Sequence, residues 1–415
     1  ALATGIPALV LGGGSIRELD IPPGADVVDL EHLDITTIEL PGWYAPDPGV
    51  ARELAFLLFT GSGDTLEMRQ ISNHRWALSA FGTATAAALG RGDTVYCLAP
   101  LYHSSGLLVS FGGALAGGCR IALSHGLDPA RFSEEVHRYG VTVVTYTWAM
   151  MRDILDSPAL HIDEIHPVRL FIGSGMTTGL WRRTLERFAP AQVLEFYAST
   201  DGEVVLANVS GAKIGCKGRP LPGSAEARLA AWDPTTGRLV EDPRGFVRES
   251  ADGEVGLLLG RPSASTEALP GVMRGVFEVG DVWVPTENLF RRDQDGDYWL
   301  LDSKHSVIRT PHGPVYGQPV ADALGSIPKV DLCVVYGVRT AGTEIAVAAC
   351  TLRENRAPSA AEITAALDAV PASERPDLVH VVPHIDLGPT FRPVSGDLPA
   401  RGLPKPTVRS WFADP

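Results

Sequence analysis

The 415-residue chain is long enough for a large core and more than one domain, since single cores rarely grow beyond about 250–300 residues. Its formal net charge of −14 excludes the clustered-cation footprint that nucleic acid or an anionic membrane surface would demand. Five scattered cysteines with no CxxC spacing argue against a disulfide framework or a zinc site, and for reduced thiols in a cytoplasmic protein.

Short β-branched or aromatic runs read as buried strands at 7–13, 55–60, 94–99, 141–146, 168–173 and 192–197. Segments with apolar residues at helical spacing lie between them, as at 129–140 and 179–189. The run 107–123 holds four glycines and an Arg, whereas a membrane span needs about 20 apolar residues. It reads as a buried helix passing into a strand; no transmembrane segment is expected, and the N-terminus shows no signal-peptide pattern. Strands alternating with helices imply an α/β fold, a largely parallel sheet covered on both faces. Three strands run into polar or glycine-rich loops, Thr60 to Thr65, Gly173 to Gly175 and Ala198 to Gly202. Loops at the carboxyl ends of such strands can converge on one ligand crevice. From about 204 to 300 the texture becomes that of a β-rich subdomain, and the last hundred or so residues fit a small α+β domain. The expected division is therefore 1–302 and 303–415, with a hinge near Asp302.

The most specific stretch is "VLEFYASTDGEVVLANVSGAKIGCKGR" (193–219). It resembles the Tyr-Gly-Ala-Thr-Glu-Gly-Asn signature and following Gly-Ala-x-Gly-Arg turn of the adenylate-forming superfamily of acyl-CoA synthetases. The likeness is greatest to the fatty-acid-transport-protein and very-long-chain acyl-CoA synthetase branch, and it extends over about residues 50–400. It implies that Tyr197, Ala198, Ser199 and Thr200 meet AMP, while Asp201 holds Mg²⁺, Asp for Glu keeping a hard oxygen ligand on a shorter stem. "LFIGSGM" (170–176) is similar to the family's strand and loop against adenine, which brings in Gly173, Ser174 and Gly175. "APLYHSSG" (99–106) resembles the element lining the acyl pocket and makes His103 a gate between carboxylate and phosphate. "YTWAMM" (146–151) would wall the acyl tunnel through Trp148 and Met150, although a buried helix start needs the same side chains.

Other motifs depart from the pattern. "FEVGDVW" (277–283) resembles the Thr-Gly-Asp element that grips ribose, giving that role to Asp281, with Val279 at the Thr. Asp302 matches the next conserved acid, but Ser303 stands where an Arg is expected, and the Gly-Glu-Asn element is not recognisable. In "GPTFRPVSGDLPARG" (388–402), Arg392 occupies the position of the lysine that stabilises the attacking carboxylate. Arg keeps the charge but is longer, planar and built for bidentate contacts. The phosphate loop "TGSGDTLEM" begins at Thr60; without gaps it puts Met68 at the loop lysine. A one-residue slip matches Ser62, Gly63 and Thr65 and brings Arg69 to that position, leaving Asp64 and Glu67 beside the expected polyphosphate. The chain also enters the family pattern late, as a fragment or truncated member would.

The resemblance implies an AMP-forming ligase that uses ATP and Mg²⁺ to activate a fatty or aryl carboxylic acid and passes it to coenzyme A. One alternative is ATP-dependent activation of nitrite for diazotisation of an arylamine. Another is an impaired member acting as a binding protein. The oligomeric state is left open.

Overall fold

The computed structural model describes all residues except 1–7, 12–23, 25, 31, 46, 48, 61–66, 125, 200–203, 263–270, 341, 355, 389–391, 408–409 and 414–415. Residues 1–50 cluster separately from 51–415. In the first unit, strands β1 (Ala8–Leu11) and β2 (Asp26–Asp29) pair in parallel.

The second unit begins with an antiparallel ribbon, β3 (Leu54–Thr60) and β4 (Glu67–Ser72), which leads into α1 (Asn73–Ala86). The Ser72 hydroxyl caps that helix by accepting from Arg75 N at 3.2 Å. The ribbon stands apart from the parallel sheet, so the loop after Thr60 leaves a hairpin and not a parallel strand. Next come β5 (Thr94–Cys97), a π-helical segment (Ser105–Phe111), α2 (Gly112–Gly117) and β6 (Arg120–Leu123). This is the helix-to-strand passage expected at 107–123. Then follow α3 (Phe132–Tyr139), β7 (Val143–Thr147), α4 (Trp148–Asp156), β8 (Leu170–Ser174), α5 (Thr178–Arg187) and β9 (Gln192–Ala198). Antiparallel β10 (Val205–Asn208) and β11 (Arg219–Pro220) complete a seven-stranded sheet of order β11-β10-β9-β8-β7-β5-β6.

The sheet is buried on both sides because alternate residues serve different cores. Val144, Tyr146, Phe171 and Val193 pack with α3, α4 and α5, whereas Val95, Val143, Leu170, Ile172 and Leu194 pack on the opposite side with Ala87 and Ala114. That double burial is why these strands read as continuous apolar runs.

The β-rich region is a second sheet. It contains β12 (Ala227–Asp233), β13 (Arg238–Leu239), β14 (Val255–Gly260), β15 (Met273–Arg274), β16 (Val282–Arg292) and β17 (Tyr298–Ser303). A small hairpin, β18 (Ile308–Thr310) and β19 (Gly313–Val315), precedes α6 (Gly317–Gly325). The C-terminal sheet is built from β20 (Val330–Thr340), β21 (Thr343–Leu352), β22 (Leu378–Val381) and β25 (Ser410–Phe412), with α7 (Ala360–Leu367) between β21 and β22. A last hairpin joins β23 (Asp386–Leu387) to β24 (Pro393–Val394) just after Arg392.

One face of the C-terminal sheet packs on α6 and α7. Its other face, through Leu332, Val334, Tyr336 and Val347, shares one cluster of buried side chains with Trp148, Met151, Leu180 and Trp181 of the parallel-sheet region. Polar ties reinforce the contact: Thr178 N donates to Asp322 Oδ1 at 3.0 Å, Arg152 Nη2 to Asp331 at 2.7 Å, and Arg353 Nη1 to Asp156 at 2.8 Å. Asp322 is half-buried, and the desolvation of its carboxylate raises its pKa.

Candidate active site

Three neighbouring parallel strands, β7, β8 and β9, end side by side, which brings the Gly173–Gly175 turn and the exit of β9 at Ala198 together at the carboxyl end of the sheet, whereas the loop after Thr60 leaves the separate ribbon. Gly173 lies opposite Tyr146, where an added Cβ would stand 2.3 Å from the Tyr146 carbonyl oxygen. Only glycine allows that approach. Gly175 follows at φ +93°, a left-handed conformation that strains other residues. A Cβ there would meet Trp148 Cβ and Arg392 Nη2, each at 3.4 Å. The exposed Arg392 side chain, from the far end of the sequence, therefore rests against the Gly175 turn.

Tyr197, near the end of β9, stacks edge-on against Phe290 with ring centroids 5.1 Å apart and accepts a hydrogen bond from Asn288 Nδ2 at 3.0 Å. Burial raises its phenol pKa, opposed by hydrogen bonds from Thr286 and Asn288 and by the positive charge of Arg392. The same guanidinium thus acts on both Gly175 and Tyr197. Ala198 ends β9 exposed. Buried Ser199 closes the following loop on itself: its N donates to Val204 O at 2.9 Å and its Oγ accepts from Val204 N at 3.1 Å. Thr200 and Asp201 lie in that loop, outside the described residues, as do Ser62, Gly63, Asp64 and Thr65 of the phosphate loop.

Thr60 ends β3, and Arg69 is a half-buried member of β4 paired with Leu58. The cation assigned to the phosphate loop thus comes from a strand of the ribbon. His103 is exposed; its Nδ1 accepts from Ser105 N at 3.1 Å, so the neutral ring carries its proton on Nε2. The desolvation it does experience lowers its pKa. Trp148 is 6 % exposed, with its ring in the core and the Arg152 guanidinium 5.8 Å from the ring centroid, while half-buried Met150 packs on the same cluster. Trp148 is thus the buried start of α4.

The ribose assignment to Asp281 needs correction. Its carboxylate is 5 % exposed and already accepts from Val276 N (2.6 Å), Phe277 N (2.9 Å), Glu278 N (3.2 Å) and Trp283 Nε1 (2.8 Å). It organises its own turn and presents no oxygen to a ligand. The segment Thr286-Glu287-Asn288, which also begins with a threonine, lies beside Tyr197 through the Asn288 side chain. Its middle residue adopts φ +64°, where glycine is favoured. The Glu287 carboxylate is held by Lys304 Nζ at 2.7 Å and His305 Nε2 at 2.8 Å. Asp302 likewise faces inward, accepting from Gly317 N at 2.6 Å and Ser303 N at 2.8 Å, so it clamps the end of β17 to the start of α6.

Burial alone would raise the Asp281 pKa, but its four donors outweigh burial and the net shift is downward from 3.8. A carboxyl depressed on folding stabilises the protein above its unfolded pKa, and the contribution is lost as pH falls through the folded value. Asp281→Asn should therefore lower the melting temperature at pH 7 and narrow that gap below pH 3.8, as followed by thermal melts across pH.

Sequence reasoning also missed Glu195 and Lys217. Glu195 is 0 % and Lys217 6 % exposed, and Lys217 Nζ donates to Glu195 Oε1 at 2.7 Å. A glutamate inside a strand carries no motif signal, although its position two residues before Tyr197 places it on the same face of β9.

Residues 45–266, more than half the chain, match the family model described as AMP-binding enzyme. The chain belongs to this family of adenylate-forming enzymes. It is 31 % identical over 320 residues to the medium/long-chain-fatty-acid–CoA ligase FadD6 of Mycobacterium tuberculosis, covering 73 % of this chain and 52 % of that protein. It is 26 % identical to long-chain fatty acid transport protein 2 of Rattus norvegicus over 89 % of this chain and 62 % of that protein. The chain thus spans between half and two thirds of the length of these relatives. The same fold occurs in the amide bond synthetase McbA from Marinactinospora thermotolerans, with a TM-score of 0.70 at 20 % identity, covering 95 % of this chain and 80 % of that one. Among the described residues, no helix is long and apolar enough to cross a membrane.

Proposed function

We propose that the chain is an ATP-dependent, AMP-forming ligase that activates a carboxylic acid, fatty or aryl, as its acyl adenylate and transfers it to coenzyme A. The observation that carries this reading is the position of Arg392, delivered by the C-terminal lobe to the Gly175 turn and Tyr197. The strand-end crevice suits a nucleotide: bare glycine backbone at 173 and 175, an aromatic ring at 197 and a guanidinium in one place. In the first step a carboxylate oxygen forms a bond to the α-phosphorus of ATP, the bond from that phosphorus to the bridging oxygen breaks, and pyrophosphate leaves with the electron pair. Both reacting partners are anionic, so a fixed cation beside them lowers the barrier. Arg392 supplies that charge, His103 presents its Nε2 proton toward incoming carboxylate, and Tyr197 and Asn288 set the nucleotide's orientation. Mg²⁺, when bound, supplies further charge compensation, with Asp201 as its proposed ligand. Residues 1–302 and 303–415 are the proposed lobes, and rotation about Asp302 would admit the thiol in the second step.

The test is a pyrophosphate-release screen with MgATP across fatty acids, aryl acids, and nitrite with arylamines. Release dependent on a carboxylic acid, followed by thioester formation with coenzyme A, is the expected result. Release only with nitrite and an arylamine would replace it with the diazotising alternative, and no release with any of them would sink the ligase reading.

A further inference from the structure

Glu195 sits beneath the turn on which Arg392 rests. Its Oε1 accepts from Gly175 N at 2.6 Å and Lys217 Nζ at 2.7 Å, and its Oε2 from Tyr146 Oη at 2.6 Å and Met176 N at 3.3 Å. Four donors saturate the lone pairs of a carboxylate. They come from the end of β7, the turn after β8, and the segment between β10 and β11, so one side chain joins three parts of the fold. Burial and the Glu195 charge raise the Tyr146 pKa well above that of an ordinary phenol, so Tyr146 stays a donor.

Lys217 is as constrained as its partner. Its backbone N donates to Tyr298 O at 2.9 Å, which ties it to the β-rich sheet. The next residue, Gly218, has φ +78°, and a Cβ there would lie 2.0 Å from Ala207 O. The chain thus passes close enough to β10 to aim the ammonium inward. A buried charge tolerates this depth only when paired and hydrogen-bonded, and Lys217 meets both needs of Glu195.

Resting on the adenylate-forming reading above, we propose that Glu195, charge-balanced by Lys217, is a positioning residue: it fixes the Gly175–Met176 backbone and so the seat of Arg392 at the reacting phosphate. It touches no substrate. Both turn amides are spent on Glu195, and the Arg392 guanidinium lies against the same turn.

The test pairs a substrate-free readout with kinetics. Removing one charge strands the other, so the informative variant is the double exchange Glu195→Gln with Lys217→Met, which removes both together. In the free protein, amide exchange at Gly175 and Met176 should accelerate at least about tenfold, as expected when a local hydrogen-bonded clamp is lost. With substrates, kcat for pyrophosphate release should fall about 10- to 100-fold, the scale of a small misplacement. The fall in kcat should exceed any rise in KM for MgATP, because the seat of Arg392 matters most in the transition state. The single exchange Lys217→Arg, which keeps a cation beside Glu195, should retain slow exchange and most of kcat. If the double variant fails to fold, Tyr146→Phe, which alters no charge, should show the same pattern more weakly. Unchanged amide exchange, or faster exchange with wild-type kcat, overturns the proposal. A wild-type protein that releases no pyrophosphate sinks the ligase reading alone, because the exchange measurement still decides whether Glu195 holds the turn.

Discussion

Arg392→Ala should reduce kcat for pyrophosphate release about 100- to 1,000-fold, the loss typical when one fixed group that stabilises developing charge is removed. The melting temperature should change little, because the side chain is exposed. The guanidinium lies within van der Waals reach of the Gly175 turn and its charge pulls down the Tyr197 pKa that burial raises, which puts it beside the place proposed above for nucleotide and carboxylate. Two anions approaching there repel each other, and a cation already in place avoids reorganising solvent during the reaction. Arg392→Lys should recover only part of the rate. Lysine keeps the charge, but it is shorter and lacks the planar fork whose Nη2 and Nε both face Gly175. Steady-state rates with MgATP varied at saturating acid check this, and an Arg392→Ala enzyme as fast as the wild type would remove Arg392 from the mechanism.

The strands that build this site could be read from the sequence because each is buried on both faces. A run such as 168–173 needs no alternation to stand out, and the strand observed at Leu170–Ser174 follows it closely. The glycines of the 173–175 turn were legible for a related reason: backbone approach and positive φ leave glycine as the fitting residue. Asp281 misled because Val-Gly-Asp preserves two residues of the expected element, whereas Thr286-Glu287-Asn288 preserves only the threonine and hides its special conformation in a non-glycine residue at φ +64°. Helix α6 carries little sequence signal because Gly317, Gln318 and Pro319 open it, although proline in a first turn is well tolerated. Glu195 could not be found by pattern at all. Its meaning depends on Lys217, Tyr146 and Gly175, which only the folded chain brings together.

Gly179→Ala should impair the same first step without touching Arg392, by disturbing the seat of the C-terminal lobe. Gly179 is in the first turn of α5, and a Cβ there would lie 1.9 Å from the carbonyl oxygen of Gly325 at the end of α6. That clash sets a Cβ fixed by the backbone of one helix against a backbone carbonyl of the other, so no rotamer relieves it; α5 and α6 must separate by more than about an ångström. The Thr178 N to Asp322 bond is adjacent and would lengthen with them. Asp322 is half-buried, and its raised pKa reflects the cost of desolvating a carboxylate there, so losing one of its donors further weakens the docked arrangement. The apolar part of the contact, Leu332, Val334 and Tyr336 in one cluster with Trp148 and Leu180, would be partly hydrated at the same time. Arg392 belongs to the displaced lobe and should leave Gly175, giving a kcat loss of about tenfold or more from misplacement alone. Limited proteolysis should show faster cleavage between 303 and 317 in this variant. Supplying a preformed acyl adenylate with coenzyme A separates the steps: in the proposed cycle, rotation of the lobe for thiol transfer would open this contact, so the second half-reaction should be spared or accelerated. A Gly179→Ala enzyme with normal pyrophosphate release would show that the contact between α5 and α6 does not hold Arg392 in place.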